Sequence, residues 1–366
     1  MRRFGIFSFG FALISFVHTT SYAQTFTRVV GTGDVPSGRT TPAVGSLGTQ
    51  VYLFGGLLDD FASFTNTFYD DTYRFDTTTG AWTRLSPATS PPARTFAAAA
   101  GHEGRGVLAV FGGSVYDPTF QVFSVFDDLW VYAPGDNTWT EIVASNAGPD
   151  ARSGASMWAD GDKLYVFGGI TQFFQFRNDL WSYDFGTNLW TLHSPDGAAG
   201  APPGRHVASA GQTLKQGKLT LYGGEALDFT TFDFVILEDV WQYDVAAQQW
   251  IDATPAPAKD LPLHRNYGAA ARIGQRLFIH GGDIPGGTTG CNAPFLQNVS
   301  NEIWSFHLVQ KRWRRHDAAG AVRLKRSASA VVDGKMYIFS GWDFVCPGGV
   351  GPGQVFNTDV FVYDND

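Results

Sequence analysis

Cysteine is nearly absent: the 366-residue chain has two. That excludes a disulfide-scaffold mini-protein and any Cys-rich zinc module. Charge is scarce too, at 16% of residues, and 26 basic residues face 34 acidic ones for a formal net charge of −8. A surplus of acid argues against a protein that tracks nucleic-acid phosphates. No run of like charge marks an acidic or basic tail. Beyond residue 23 no stretch approaches the roughly 20 apolar residues that a spanning helix needs, so no membrane span is expected there. What the chain has in quantity is glycine, 43 residues, and aromatic side chains, 15%. With 44% hydrophobic residues it is too apolar for a disordered chain. The length fits two or three domains, or one large β domain.

The first segment has a different character. Met1-Arg2-Arg3 opens positive, Phe4 to Val17 is almost continuously apolar, and Ser21-Tyr22-Ala23 puts small residues three and one positions before a cut. This is the layout of a secretory signal, and its apolar core is short for a membrane span. An uncleaved anchor is the other reading, although no stop-transfer pattern follows. The expectation is a signal peptide over 1–23, a mature chain from Gln24, and secretion to the extracellular space or periplasm.

A repeat fills the rest. Glycine pairs end apolar runs at Gly55-Gly56, Gly112-Gly113, Gly168-Gly169, Gly223-Gly224 and Gly281-Gly282, and Ser340-Gly341 is a degraded sixth copy. The β-branched and aromatic runs before them, such as Leu164-Tyr165-Val166-Phe167, read as buried strands. After a variable gap comes an acid: Asp71, Asp128, Asp179, Asp239, Glu302 and Asp359. Each stands two residues before an aromatic, and a Trp lies eleven residues after the first five. An Arg opens each unit, read as Arg39, Arg94, Arg152, Arg205, Arg265 and Arg326, and small residues follow. Each unit therefore reads as a four-stranded sheet that cannot bury both faces until neighbours pack on it.

The sixth unit runs out before its last strand. The segment Thr25-Phe26-Thr27-Arg28-Val29 mirrors Ala81-Trp82-Thr83-Arg84-Leu85 and supplies the missing piece. Closure would leave no apolar end face or open sheet edge. The expected fold is all-β: one six-bladed β-propeller over residues 24–366, its last blade closed by the N-terminal strand.

These residues resemble the Kelch-repeat family. Asn178-Asp179-Leu180-Trp181-Ser182-Tyr183-Asp184 with Trp190, and Glu238-Asp239-Val240-Trp241-Gln242-Tyr243-Asp244 with Trp250, follow its signature closely. The resemblance implies four-stranded blades and a ligand face shaped by the loops between second and third strands and the turns into the first. It does not supply a function.

Residues present in every blade read as architecture. The six Arg and six acids suggest charge-assisted hydrogen bonds between strand ends, with an Arg-lined anion site as the alternative. Trp and Tyr read as inter-blade core. Small residues after each Arg suit the crowded innermost strand. Function is then sought in what varies, and the gap from glycine pair to acid runs from 10 to 20 residues. These loops are rich in aromatics: Phe61, Phe64, Phe68, Tyr69, Tyr116, Phe120, Phe123, Phe126, Phe173, Phe174, Phe176, Phe229, Phe232 and Phe234. They form either a partner surface or a lid with its own small core. Cys291 and Cys346 fall in the fifth and sixth loops, and an oxidising export route favours a disulfide between them. Asn298-Val299-Ser300 is a glycosylation sequon in the fifth loop.

The positions just after the glycine pairs are Leu57, Ser114, Ile170, Glu225, Asp283 and Trp342, those just after the repeat Arg are Thr40, Thr95, Ser153, His206, Asn266 and Ser327, and the polar candidates among them cluster unevenly. If both sets ring one mouth, Glu225, His206, Asp283, Asn266 and Tyr267 converge, with His264 and Asp343 near. Carboxylates beside imidazoles could do acid/base work or hold a divalent ion; the bland alternative is a solvated polar rim. No fixed metal-ligand spacing is visible, so neither metal nor cofactor is expected.

The leading expectation is a secreted, monomeric binding propeller that holds a protein, peptide or glycan. Its contacts would be Glu225, Asp283, His206, Asn266, Tyr267, Phe173, Phe174 and Trp342. A purely structural or scaffolding role is another. A third is a sugar epimerase or isomerase: Gly223-Gly224-Glu225 resembles a glycine–glutamate of exported Kelch-type N-acetylneuraminate epimerases, which would make Glu225 a base with His206 as partner. No Arg follows between Ala226 and Val235 to hold an anionic sugar. The Glu-x-x-x-Asp-x-x-x-His set of the iron-dependent specifier proteins is broken by Phe229 and Asp233. Copper chemistry of the galactose-oxidase kind would need a Cys–Tyr cofactor plus His ligands, and both cysteines are expected in the disulfide instead.

Overall fold

The computed structural model describes residues 24–365 apart from Phe120, Phe229, Phe232, 257–260 and Ala318. The signal peptide expected at 1–23 lies outside the described residues, as do three of the loop phenylalanines.

Six blade sheets follow one another along the chain, five of them four-stranded and antiparallel, while blade 1 adds a short fifth strand, Thr32–Gly33, parallel to its outer strand Ala81–Leu85. Blade 3 shows the pattern, running from the inside outward as Ser156–Asp160, Lys163–Ile170, Phe176–Asp184 and Leu189–Ser194. In blade 6, Ala328–Val332, Lys335–Phe339 and Val360–Asp364 are completed by Thr25–Val29. Phe26 faces Tyr363 and Val29 faces Val360 in that last pairing. The fold is the all-β, six-bladed propeller expected, with its N-terminal strand as the closing piece.

The glycine pairs explain how blades join. Both residues of the first pair have positive φ, 68° and 102°, which costs glycine little. A Cβ on Gly55 would lie 2.8 Å from the Arg94 carbonyl and one on Gly56 2.8 Å from that of Thr40. The second glycine donates its N–H to the next blade: Gly56 to Arg94, Gly113 to Arg152, Gly169 to Arg205, Gly224 to Arg265, Gly282 to Leu324 and Gly341 to Arg39. The sixth bond returns to the first blade and shuts the ring.

This series corrects the sixth Arg. Leu324, not Arg326, holds the repeat position, and Lys325, not Ser327, follows it. Five buried guanidiniums do grip their acids as read, with Arg152 Nη1 and Nη2 at 2.6 and 2.9 Å from Asp179 and Nη1 at 3.0 Å from the Gly168 carbonyl. A Trp indole N–H joins the same carboxylate, 2.8 Å from Trp181 to Asp179. Blade 6 replaces the missing guanidinium. The Asn357 amide donates to the Ser340 and Asp359 carbonyls, and Arg28 of the closing strand takes the Asp359 carboxylate at 2.6 Å.

Inter-blade cores are aromatic, as the Trp pattern implied. Small inner-strand residues, among them Ala98, Ala99, Ala155, Ala208, Ala269 and Ala328, line a cavity of about 170 Å³ on the axis. Gln212 reaches across the axis from blade 4 to the Val44 carbonyl of blade 1, at 2.6 Å.

Candidate functional site

The long loops are hairpins rather than irregular connections. Leu57–Asp60 pairs with Thr65–Phe68, Ser114–Tyr116 with Phe123–Val125, Glu225–Asp228 with Asp233–Ile236, Asp283–Gly290 with Ala293–Val299, and Trp342–Val345 with Gly353–Phe356. In blade 3 the second and third strands themselves extend outward past a bulge beyond Phe167. Pairing the two arms of each hairpin satisfies much of the loop backbone internally.

Each hairpin base is stitched to the turn into the first strand. Thr40 bridges Leu57, Thr95 bridges Ser114, Ser153 bridges Ile170, His206 bridges Glu225, Asn266 bridges Asp283 and Lys325 bridges Trp342. The next residue of each turn points its backbone toward the axis: Thr41, Phe96, Gly154, Val207, Tyr267 and Arg326. All six have φ between 45° and 68°. Thr41 N donates to Arg326 O, Phe96 N to Thr41 O, Gly154 N to Phe96 O, Val207 N to Gly154 O, and Arg326 N to Tyr267 O. A hydrogen-bonded collar therefore lines the mouth directly above the cavity, linked at five of its six steps and, among the described residues, open between Val207 and Tyr267. Left-handed backbone at β-branched Thr41 and Val207 is costly and persists only because the collar over-determines it.

Charged side chains meet on this collar. Nε2 of His206 donates to Glu225 Oε2 at 2.8 Å, and the Tyr267 hydroxyl donates to the same oxygen at 3.2 Å. Arg326 sits over the Tyr267 and Phe96 rings, 5.0 and 5.6 Å from their centroids, and pairs with Asp59 of the first hairpin at 2.6 Å. Burial works against charge here. It pushes Glu225 up, but His206, the Tyr267 hydroxyl and the Arg326 charge outweigh it and leave the carboxyl below its ordinary range. Burial would discharge Arg326, yet Asp59, Tyr116, Tyr267 and Glu225 together hold it firmly protonated. The Tyr116 phenol is raised to about 12, chiefly by burial. Among the described residues no three His, Cys, Asp or Glu side chains converge as a metal set would.

A second cluster lies beside it. Buried Lys325 donates to Asp283 at 2.8 Å and Gln297 at 2.6 Å, and its ammonium is 4.6 Å from the Trp342 ring centroid. Burial lowers this lysine, with Asp283 opposing.

The repeat seen in the strands is also a family pattern. That of the KLHDC2/KLHL20/DRC7 Kelch-repeats domain matches residues 13–224 and 200–366. The chain belongs to this Kelch-repeat family. It is similar to Kelch domain-containing protein 3 of Bos taurus, 26% identical over 83% of this chain and 77% of the relative. It is similar to the leucine-zipper-like transcriptional regulator 1 homolog of Drosophila melanogaster, 26% identical over 70% of this chain but 25% of that protein. A third similarity is to N-(sulfonatooxy)prop-2-enimidothioate sulfolyase of Thlaspi arvense, 26% identical over 78% of this chain and 81% of the relative.

The Kelch propeller brings Glu225, His206 and Tyr267 together. Asp283 stands apart, spent on Lys325 and on the Asn298 N–H at 3.1 Å. Asn266 is buried, and its side-chain oxygen has no partner among the described residues. Trp342 is corrected from ligand contact to packing: it is fully buried against Phe61 and beneath Lys325. His264 and Asp343 also leave the cluster, His264 toward Glu238 and Asp343 to Arg323. Phe173 and Phe174 are exposed on the blade 3 turn, 80% and 42%, with Phe174 stacked on Phe123 at 5.2 Å.

Both loop readings are realised, in different places. Phe61, Trp342, Phe344, Val299 and the bonded Cys291–Cys346 pair form a small core under the hairpins of blades 1, 5 and 6. On the other side, edge contacts run from Phe68 to Tyr116 and from His206 through Phe176 to Phe234. Asp59, Lys325 and the central role of Arg326 were not foreseen from the sequence, and Tyr116 was expected only as one of the loop aromatics. One signal was there. The Arg-to-glycine spacing is 16 or 18 residues in five units but 14 from Arg326, and 16 from Leu324.

Proposed function

We propose that this Kelch propeller is an exported, monomeric binding protein whose hairpin face captures a segment of a partner protein. One observation carries the reading: large aromatics stand exposed around a collar that is already charged and rigid. Phe64, Phe173 and Phe234 are 60%, 80% and 57% exposed on three different hairpin tips. A cluster of that kind marks a contact surface more often than a solvated one. Kelch propellers generally bind proteins, which favours a protein segment over a glycan. The Cys291–Cys346 disulfide supports the exported address, since disulfides persist in oxidising compartments.

The collar chemistry favours an anchor over a catalyst. A general base works best with its pKa near the working pH. Glu225 is instead held below its usual range and doubly hydrogen-bonded.

The test uses residues 24–366 carrying a photo-crosslinking phenylalanine at position 173 to capture the partner, followed by affinity measurements. Replacing Phe173 and Phe174 with Ser should weaken binding by about tenfold or more, as for other aromatic anchors. Glu225→Gln should shift affinity with folding intact. Unchanged binding in the double variant would move the interface to another face, and turnover of a sugar abolished by Glu225→Gln would establish the epimerase reading instead.

A further inference from the structure

Blade 5 breaks a pairing that its neighbours keep. At the end of each blade opposite the hairpins, the first residue of the second strand faces the last residue of the third. Lys163 pairs there with Asp184 at 3.7 Å, Lys218 with Asp244 at 2.9 Å and Lys335 with Asp364 at 2.6 Å. In blade 5 the cation is Arg276 and the residue facing it is His307. The imidazole does take over the carboxylate's other duty. Its Nδ1 accepts the Val309 and Gln310 N–H groups at 3.3 and 3.2 Å, just as Asp184 and Asp244 cap their own turns. The turn is kept and the negative charge is lost.

The same corner gains positive charge. The residues flanking the outer-strand aromatic are Ala81 and Thr83, Thr138 and Thr140, Leu189 and Thr191, Gln249 and Ile251, and Thr25 and Thr27 in five blades. In blade 5 they are Arg312 and Arg314, both exposed. Arg312 faces His307, which faces Arg276, and Arg314 faces Ser305 two residues along, so all three arginines lie on one side of the sheet. None of them makes an ion pair among the described residues, and Arg276 donates only to the Ser305 hydroxyl, at 3.1 Å. Burial, then the charges of Arg314 and Arg312, pull Arg276 below its ordinary range, as expected of guanidiniums gathered without a counter-ion.

Protection of a sheet edge by charge would account for Arg312 and Arg314. It does not account for Arg276, which is on the second strand and has lost its acid. Three unpaired guanidiniums fit oxyanions, which they can hold in a bidentate manner. We propose that this corner of blade 5 binds the sulfate groups of an anionic polysaccharide through Arg276, Arg312 and Arg314. A disulfide-bonded chain belongs in an oxidising milieu, where such polymers rather than nucleic acids are the common polyanions. The surface is remote from the hairpin face, so the two proposals stand or fall separately.

The probe is a fluorescent heparin octasaccharide, titrated against residues 24–366 between about 50 and 200 mM salt, with an RNA oligomer of equal charge alongside. Three contacts predict a slope of about 2–3 in log affinity against log salt. Arg276→Ser, Arg312→Thr and Arg314→Thr together should cut binding about tenfold and flatten that slope. His307→Asp restores the pairing of blades 3, 4 and 6 while keeping every arginine. It should weaken binding about threefold, and it decides the matter if the triple variant does not fold. No binding by the unaltered protein, binding unchanged in these variants, or RNA bound as tightly as the octasaccharide would each overturn the proposal.

Discussion

The imidazole of His280 lies against the Phe26 ring, 5.1 Å between centroids, at the junction of blades 5 and 6. Elsewhere the same place holds an aromatic ring on a tryptophan: Phe54 on Trp139, Phe111 on Trp190, Phe167 on Trp250, Tyr222 on Trp313 and Phe339 on Trp82. The seam where the chain closes on itself is thus the one whose ring at this place is an imidazole, which titrates in the acid range. A second, His316, is bonded to Gln24 at 2.8 Å and to Ser305 at 2.7 Å beside it.

Acid should therefore open this seam first. Burial drives His280 from 6.5 down to about 4, and His316 likewise to about 4. Between those values the unfolded chain binds more protons than the folded one. Stability is complete above pH 6.5 and is lost as pH falls toward 4. For His280 the loss is on the order of 3 kcal/mol. Melting temperatures from pH 7.5 to 4 should fall, and His280→Phe should make the fall smaller. An equal fall in that variant would place the acid sensitivity elsewhere.

Two arginines make contrasting predictions. Arg152 is buried and bidentate to Asp179. Removing it leaves a carboxylate uncompensated, so Arg152→Ala should cost about 3–5 kcal/mol in urea unfolding. Arg28 pairs with Asp359 from an exposed position, and Arg28→Ala should cost about 0–1 kcal/mol. Similar losses in the two variants would undo the architectural reading of the repeat arginines.

The ring of blades was legible because its causes are local and repeated. Glycine pairs and tryptophans recur five times and acids six, with Ser340-Gly341 and Phe26 standing at the spacing of the sixth pair and the missing Trp. The mouth was half legible for the opposite reason. Glu225 and His206 could be placed together by counting from the glycine pair and the Arg. Asp59 and Arg326 meet across 267 residues, through a hairpin whose reach no spacing encodes. Arg326 also imitated the repeat Arg, and the substitution of Asn357 and Arg28 for the true one is visible only in three dimensions.

Gly154 tests whether the collar shapes the proposed binding face. It is the one glycine among the six collar residues, at φ 68°. A Cβ there would lie 3.1 Å from Val207 Cγ1 and 3.2 and 3.3 Å from Cβ and Nδ1 of His206. Those contacts are tight enough to push His206 away from Glu225. Gly154→Ala should thus cost about 1–3 kcal/mol through the left-handed backbone and, separately, weaken partner binding. The two effects can be told apart with Gly48→Ala, which has φ 58° and open space around its Cβ. That variant should lose similar stability and no affinity. Equal affinities in both would mean that His206 and Glu225 do not face the ligand.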